Sequence, residues 1–432
     1  MRLSPMQRRV VATLGFCGLV SAADNWFVSP ALPAIAQALG VLPSVAAVVL
    51  TAYLMPYGLL QPVCGAVGDS VGRVRLLRVI VAGLAASTVA CAMAPDLATL
   101  VAARLVTGCF AAGIISVSQA VVGQVTDAGT RAGAVGLLMG ITFAGQGLSA
   151  GLGGVLCDLV GWRAAFVAFG AAAALAWLGL WRLPPEACAH GDVRAAVADE
   201  ADGSDPRREP AAGAVADGPR PGRRALFAVR SAAGAACGFV RSAVRTFLGP
   251  SRAVFLAACS TGVVFLGVYG LMGTFLAERC GLGATQAGLV MMFYGVACLV
   301  GGGVSGRIAA RGGVDGVVLV GEASGVGAMA LLLAATLSGS WVPALGAAAL
   351  LGLGYILVQP SLVTLSMGAD PARQGLCTGL VGLGVFAGGG LGGMLGQALL
   401  ASGGWALLWA VAGCALVAQA ALCRRPLRAL AR

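Results

Sequence analysis

Apolar runs long enough to cross a lipid bilayer recur along this chain, and charge is almost confined to the short segments between them. About 20 apolar residues, coiled as a helix, span ~30 Å of hydrocarbon. Inside that layer no water pairs the backbone, and a helix pairs it internally. Of the 432 residues, 59% are hydrophobic and 10% are charged. A soluble domain has about a quarter of its residues charged. The expected fold class is therefore an all-α polytopic membrane protein.

Spans are expected at about 10–35, 44–67, 76–94, 98–123, 132–157 and 163–182, and again at about 252–276, 284–309, 315–337, 341–366, 374–400 and 404–423. The twelve helices fall into two sets of six. The domain organisation expected is an N-terminal six-helix bundle over 1–183, a cytoplasmic linker over 184–250 and a C-terminal six-helix bundle over 251–432. The linker opens with "HGDVRAAVADEADGSDPRREPAAGAVADGPRPGRR", whose composition predicts disorder. It closes with Arg230, Arg241 and Arg245 interleaved with Phe227, Val229, Phe239 and Val244, a pattern expected of an amphipathic helix lying on the membrane surface.

Arginine placement predicts orientation. Arg8, Arg9, Arg73, Arg75, Arg78, Arg131, Arg307, Arg311, Arg373, Arg424, Arg425 and Arg428 fall on one side of the predicted spans. The other side holds little beyond Asp96, Asp158, Arg163, Glu278 and Arg279. Basic residues mark the cytoplasmic side, so both termini are expected inside. The net charge of +11 is thereby assigned to loops facing anionic lipid and not to nucleic acid. The 13 cysteines form no C-x-x-C pair, so they read as small core residues without a metal site. The first apolar run is too long for a cleaved leader and reads as a retained span.

The two sets of six also resemble each other. "AGQGLSAGLGGVLCDLVGW" (144–162) aligns without gaps on "AGGGLGGMLGQALLASGGW" (387–405), and "YGLLQPVCGAV" (57–67) aligns on "YGVACLVGGGV" (294–304). Copies six spans apart share one topology, so the repeat is parallel, about an axis along the membrane normal. Such repeats build carriers whose binding site lies between the halves.

Four motifs carry a family resemblance. "GAVGDSVGRVR" puts Gly65, Asp69, Gly72 and Arg73 between the second and third spans, with Leu77 following. The first span carries "DNWFVSPALPAIAQAL", with Asp24, Ala31, Leu32, Pro33 and Ile35 in register. The fourth carries "LVAARLVTGCFAAG", with Arg104 and Gly108, and the fifth ends in "GLGGVLCDLVGWRAAF". In these motifs the chain resembles the major facilitator superfamily, and within it the twelve-span drug:proton antiporters. It departs from the pattern at Ser70, where a basic residue is usual, at Thr107 for glutamine, and at Ala150 for proline.

The resemblance implies a proton-coupled exporter of small amphiphilic, multidrug-like molecules. It would work by alternating access in the inner (plasma) membrane as a monomer, with lipid and protons as partners and no cofactor. The alternative within the family is a carrier of sugars, amino acids or organic anions. An integral-membrane enzyme would need convergent catalytic groups, and the only histidine, His190, lies in the linker. A sensor or scaffold that has lost transport is the third class.

Residue chemistry gives these positions expected roles. Gly65, Asp69, Gly72 and Arg73 form a candidate conformational gate: the glycines permit close approach and a tight turn, and a carboxylate at a helix N-terminus makes a contact that can form and break. Asp24 and Arg104 are charges within spans, where such residues serve function, and they are the candidates for proton coupling. Glu322 is the runner-up, expected to snorkel to the cytoplasmic edge. The substrate cavity is expected to use Trp26, Gln119, Phe143, Gln146, Tyr269, Tyr355 and Gln359, since apolar walls with sparse polar anchors suit an amphiphile. "GLGVFAGGGLGG" (382–393) contains a dinucleotide-like glycine spacing, but it sits inside a span and reads as helix packing.

Overall fold

The computed structural model describes residues 3–126, 128–183, 241–249, 251–367 and 374–430, and helices account for nearly all of them. The first helix, α1, comprises Pro5–Trp26 and Val28–Leu39, bent at Phe27. Ser4 starts it with a capping box: its hydroxyl accepts from the Gln7 N–H at 3.1 Å while the Gln7 side chain accepts from the Ser4 N–H at 3.0 Å. Next come α2 (Pro43–Ala46 and Val48–Val71), α3 (Arg73–Ala92), α4 (Leu97–Ala111 and Ile114–Val125), α5 (Ala128–Val160) and α6 (Trp162–Trp181). Then α7 runs through Arg252–Thr261, a π-helical turn at Gly262–Leu266, and Gly267–Cys280. Continuous helical runs kinked at Gly313 and Gly404 supply α8 (284–312), α9 (314–338), α11 (374–403) and α12 (405–430), with α10 at Val342–Met367 between them.

Eleven of these runs are long and apolar enough to cross a membrane, and the last, Leu376–Cys423, is two spans joined at Gly404. Among the described residues twelve membrane helices result, as the apolar pattern predicts. Leu59, Val79, Leu152, Leu175, Val300 and Leu395 point outward and are exposed. In a bilayer such side chains meet lipid, so their exposure carries no hydrophobic cost.

Sharp reversals fall at glycines with positive φ. Gly40, Gly72 and Gly161 end α1, α2 and α5, with φ of 67°, 98° and 86°. Gly281, Gly313 and Gly404 end α7, α8 and α11, with φ of 65°, 69° and 70°. The second set repeats the first at offsets of 241, 241 and 243 residues. At Gly161 ψ is 160°, a combination open essentially to glycine alone. Gly161→Ala is accordingly expected to destabilise the protein by about 1–3 kcal/mol. A fall in the detergent-solubilised thermal unfolding midpoint would register it.

Contacts at the helix ends sort them into two layers. At the arginine-rich end Gln7 Nε2 donates to Val125 O at 3.0 Å, and Arg73 Nη1 donates to Ala120 O at 3.2 Å. There Arg78 donates to Leu180 O at 3.2 Å and lies 4.3 Å over the Trp181 ring, a cation at the end of α6. At the other end Arg163 Nη2 donates to Ala94 O at 3.0 Å and Arg279 Nη2 to Thr336 O at 3.1 Å. Asp96 caps α4 there, accepting from the Thr99 N–H at 2.8 Å, and this hydrogen bond holds its carboxyl below the usual carboxylate range.

The predicted linker falls mostly outside the described residues, including Phe227, Val229, Arg230 and Phe239. Residues 241–247 are helical, with Arg241, Val244 and Arg245 exposed. Phe247 stacks on Phe255 of α7 at 5.6 Å between ring centroids, tying this helix to the start of α7. Among the described residues all the cysteines are free thiols, with Cys17, Cys91, Cys157, Cys298 and Cys377 buried.

Candidate functional site

Three helices bring the intramembrane charges together. Asp24 on α1 and Arg104 on α4, 80 residues apart, form a buried ion pair with Nη1 to Oδ2 at 2.6 Å. Thr88 of α3 donates to the other carboxylate oxygen at 2.7 Å, and Arg104 Nη2 donates to the Asn25 side-chain oxygen at 3.0 Å. The guanidinium carbon lies 4.4 Å over the Tyr53 ring and 5.8 Å from that of Phe166. Tyr53 is itself fixed, donating to Ser21 O at 2.8 Å.

A charge this deep is tolerated only when paired and hydrogen-bonded. The pair is nearly saturated: Arg104 Nε and the Asn25 amide nitrogen are the buried donors left without an acceptor. Both predicted coupling residues are therefore in contact. In this conformation Tyr53 and Phe166 cover them.

A second cluster lies where the α1–α6 side of the molecule meets the α7–α12 side. Trp26 packs on Tyr269 at 4.9 Å, Tyr269 on Tyr294 at 4.2 Å, Tyr294 on Tyr355 at 6.2 Å, and Phe143 edge-on against Tyr355 at 5.3 Å. This chain of rings joins α1, α7, α8, α10 and α5. Tyr269 donates to Met291 O at 3.1 Å. The hydroxyls of Tyr57, Tyr294 and Tyr355 and the amide oxygens of Gln146 and Gln359 are buried with no hydrogen bond of normal geometry. Such groups are costly to leave unpaired.

Five of the predicted cavity residues, Trp26, Phe143, Gln146, Tyr269 and Tyr355, belong to this cluster. Gln359 sits one turn beyond Tyr355 on α10, also buried. Gln119 lies apart, half-buried, with its amide nitrogen 2.7 Å from Met139 Sδ on α5. Tyr57 and Tyr294 were not foreseen. A signal was present, because Tyr57 and Tyr294 head the two aligned segments of the internal repeat.

The two sides meet through glycine. Side chains at Gly147, Gly154 and Gly288 would collide with the backbones of Gly295, Ala284 and Ala150, so α5 and α8 touch main chain to main chain towards the arginine-poor end. Asp158 adds an acceptor there for the Thr285 N–H, at 2.7 Å. Towards the arginine-rich end the same helices part: Gly136 and Gly140 of α5 and Gly302 of α8 face open space. Helices α2 and α11 stay together over more of their length. Thr51 donates to Gly390 O at 3.1 Å, Gly58 lies against the Ala387 backbone, and Gly379 against Pro62. On α1 and α7, Ser29 donates to Gly270 O at 2.8 Å.

Two expectations need correcting. Gly65 permits no close approach in this conformation, because a side chain there would meet nothing within 4 Å; Gly72 does make the tight turn, with φ 98°. Glu322 does not snorkel to the edge, because α9 turns it inward between α7 and α12, where it is 3% exposed. The Asp69 side chain lies outside the described residues. Arg73 is engaged with α4 as described above.

The chain is 32% identical over 162 residues to the puromycin resistance protein pur8 of Streptomyces alboniger, covering 37% of this chain and 32% of that one. It is 30% identical over 158 residues to the multidrug efflux pump LfrA of Mycolicibacterium smegmatis, covering 36% and 31%. A citrate exporter of Aspergillus niger is 25% identical over 178 residues, covering 41% and 34%. Each match spans about a third of the relative's length. The pattern of the Major Facilitator Superfamily itself matches residues 14–374, which takes in the Asp24–Arg104 pair and the whole aromatic cluster. With twelve apolar helices and that match, this multi-pass membrane protein belongs to the Major Facilitator Superfamily, a family of transporters.

Proposed function

We propose that the chain is a secondary active exporter that exchanges protons for small amphiphilic molecules. A site between two six-helix halves, 1–183 and 251–432, would be exposed to each side in turn. The repeat of glycine turns at matching offsets supports the two-halves reading. Following the arginine asymmetry, the arginine-rich end faces the cytoplasm of a bacterial-type inner membrane, with both termini inside. The segment between the halves is a cytoplasmic linker.

The observation that carries the reading is the buried Asp24–Arg104 pair. A proton on Asp24 removes the partner of a guanidinium held among Tyr53, Phe166 and Asn25. The cluster then holds an uncompensated charge, whose penalty in a protein interior is several kcal/mol even after relaxation. Movement of α1 relieves it, and two residues after Asp24 the same helix carries Trp26, packed on Tyr269 across the midline. Protonation and substrate site thus share one helix. At the cytoplasmic mouth Gly65, Asp69, Gly72 and Arg73 form the gate, with the Asp69 carboxylate as the contact that breaks and reforms.

The midline cluster favours aromatic amphiphiles. It offers ring faces, phenol hydroxyls and amide oxygens, while the nearby guanidinium of Arg104 is taken by Asp24. Export of an organic anion, the reading that the citrate exporter's name suggests, would want a free cation there. Gln119 and Gln359 extend the site towards the cytoplasm.

In everted vesicles an acid-inside gradient is expected to drive uptake of puromycin, the compound in one relative's name, or of other aromatic cations, and an uncoupler should abolish it. Asp24→Asn is expected to drop uptake to the uncoupled level. Full proton-driven uptake by that variant would sink the assignment of Asp24.

A further inference from the structure

The deep carboxylate on the other side of the midline has no role in the scheme above. Glu322 lies 11 residues into the Arg311–Ser338 span, about 16 Å along the helix axis. It is 3% exposed and its Oε1 has no hydrogen-bond partner. Its polar surroundings come from two neighbouring helices. On α12 Gln419 lies within hydrogen-bonding reach and Cys423 is the titratable neighbour. On α7 Thr261 lies behind Gln419. On α10 the facing residues are Gly354 and Val358, which pack on Gly321 and carry no charge. Arg424 and Arg425 follow Cys423 in sequence, and their side chains lie outside the described residues.

Hydrogen bonding fixes how Gln419 is turned. The Thr261 hydroxyl has one hydrogen, used at 2.7 Å on Ala257 O. Thr261 Oγ1 therefore accepts, and Gln419 Nε2 donates to it at 3.1 Å. The Gln419 amide oxygen is left over, buried and without a donor. Two orphan oxygens, one on Gln419 and one on Glu322, thus occupy the same junction. Two bare acceptors repel each other, and one hydrogen between them satisfies both.

We propose that Glu322 is a second proton-binding site of this transporter, its carboxylic O–H donating to Gln419 Oε1 in the conformation seen here. Losing the proton breaks that hydrogen bond and leaves a carboxylate buried in the junction, which loosens the contact of α9 with α12. The junction is placed to pass that movement on. Thr261 is the last residue before the π-helical turn Gly262–Leu266 of α7. Phe265, in that turn, packs into the surfaces of Gly325 on α9 and Gly354 on α10. One turn further on, α7 carries Tyr269 of the midline cluster. A π-turn is an adjustable element of a helix and recurs at functional sites. Protonation of Glu322 thereby holds α7 in the register that stacks Tyr269 on Trp26 and Tyr294. The inference rests on the transporter reading but not on Asp24 as the proton carrier.

Infrared difference spectra of the full-length protein in lipid, recorded across a pH step, test this directly. Wild-type protein should show the carbonyl stretch of a buried carboxylic acid, lost as pH rises, and E322Q should lack it. E322Q mimics the protonated state and is expected to keep its fold and to lose the pH-dependent step in tryptophan fluorescence that wild type shows. If E322Q does not fold, Q419L removes the acceptor and should move the midpoint of the infrared titration. Spectra of wild type and E322Q that superimpose across the pH step would overturn the proposal. So would a wild-type carboxylate signal that responds to sodium at constant pH, because the junction would then hold a metal cation. D24N separates the two readings: it should retain the Glu322 band whether or not it retains proton-driven export.

Discussion

Replacing Arg104 with methionine is expected to cost about 3–5 kcal/mol of stability, the usual penalty for breaking a buried ion pair by removing one partner. The size follows from what stays behind. Asp24 would keep Thr88 as a donor, but its other oxygen, now 2.6 Å from a guanidinium, would face Tyr53, Phe166 and an alkyl chain. Lysine should rescue poorly, because one ammonium cannot reach Asp24 and Asn25 while lying flat on the Tyr53 ring. The double variant D24N/R104M removes both charges and is expected to recover most of the loss, a coupling that a double-mutant cycle measures. The unfolding midpoint of the purified protein, compared across the four variants, is the readout. If R104M proves as stable as wild type, the pair is not the closed buried bridge described here, and the coupling role given to it loses its basis. Recovery of stability in the double variant without recovery of proton-driven uptake would separate the structural from the coupling contribution.

Gly147→Leu and Gly154→Val should shift the conformational balance with little effect on the rest of the fold. Their side chains would meet the main chain of Gly295 and of Ala284, atoms that no rotamer change can move aside. Overpacking of this kind costs about 1–3 kcal/mol. That penalty falls only on the state closed at the arginine-poor end, so the population shifts by about 5–150-fold. Alkylation of Cys157, buried one turn beyond Gly154, should rise on the same scale, read peptide by peptide by mass spectrometry. Gly140 is the complementary test. It lies seven residues before Gly147 on the same stripe of α5, yet faces open space. Gly140→Leu is expected to fold normally and to stop turnover, since closing the arginine-rich end would bring α8 against it. Normal transport by both Gly147→Leu and Gly140→Leu would contradict the rocking of the two halves.

Much of the fold was legible because it is written locally. A membrane helix must be apolar over its whole length, so the twelve spans could be read one by one. Gly72 could be read as a turn for a similar reason, since it sits between two such runs. Asp24 and Arg104 stood out as rare charges inside spans. That they hold each other, with Thr88 and Asn25 completing the set, could not be read, because the partners lie on three helices whose rotations are set by packing. Glu322 shows the same limit from the other side: depth along a helix follows from counting, but which face turns inward does not. That Gly65 stands clear of any neighbour in this conformation could not be read either, because a motif records that glycine is used without recording what stands opposite it.

The residues alone determined that this chain lives in a bilayer, crosses it twelve times and carries a duplicated pattern, because hydrocarbon enforces composition on every segment it touches. Only the tertiary structure decided which side chains share the midline, which end of the molecule is closed, and where unpaired oxygens collect. Those outcomes depend on the mutual rotation and tilt of helices. Between lipid-soluble helices these are chosen by close contact at small residues, a matter of shape between distant stretches of chain.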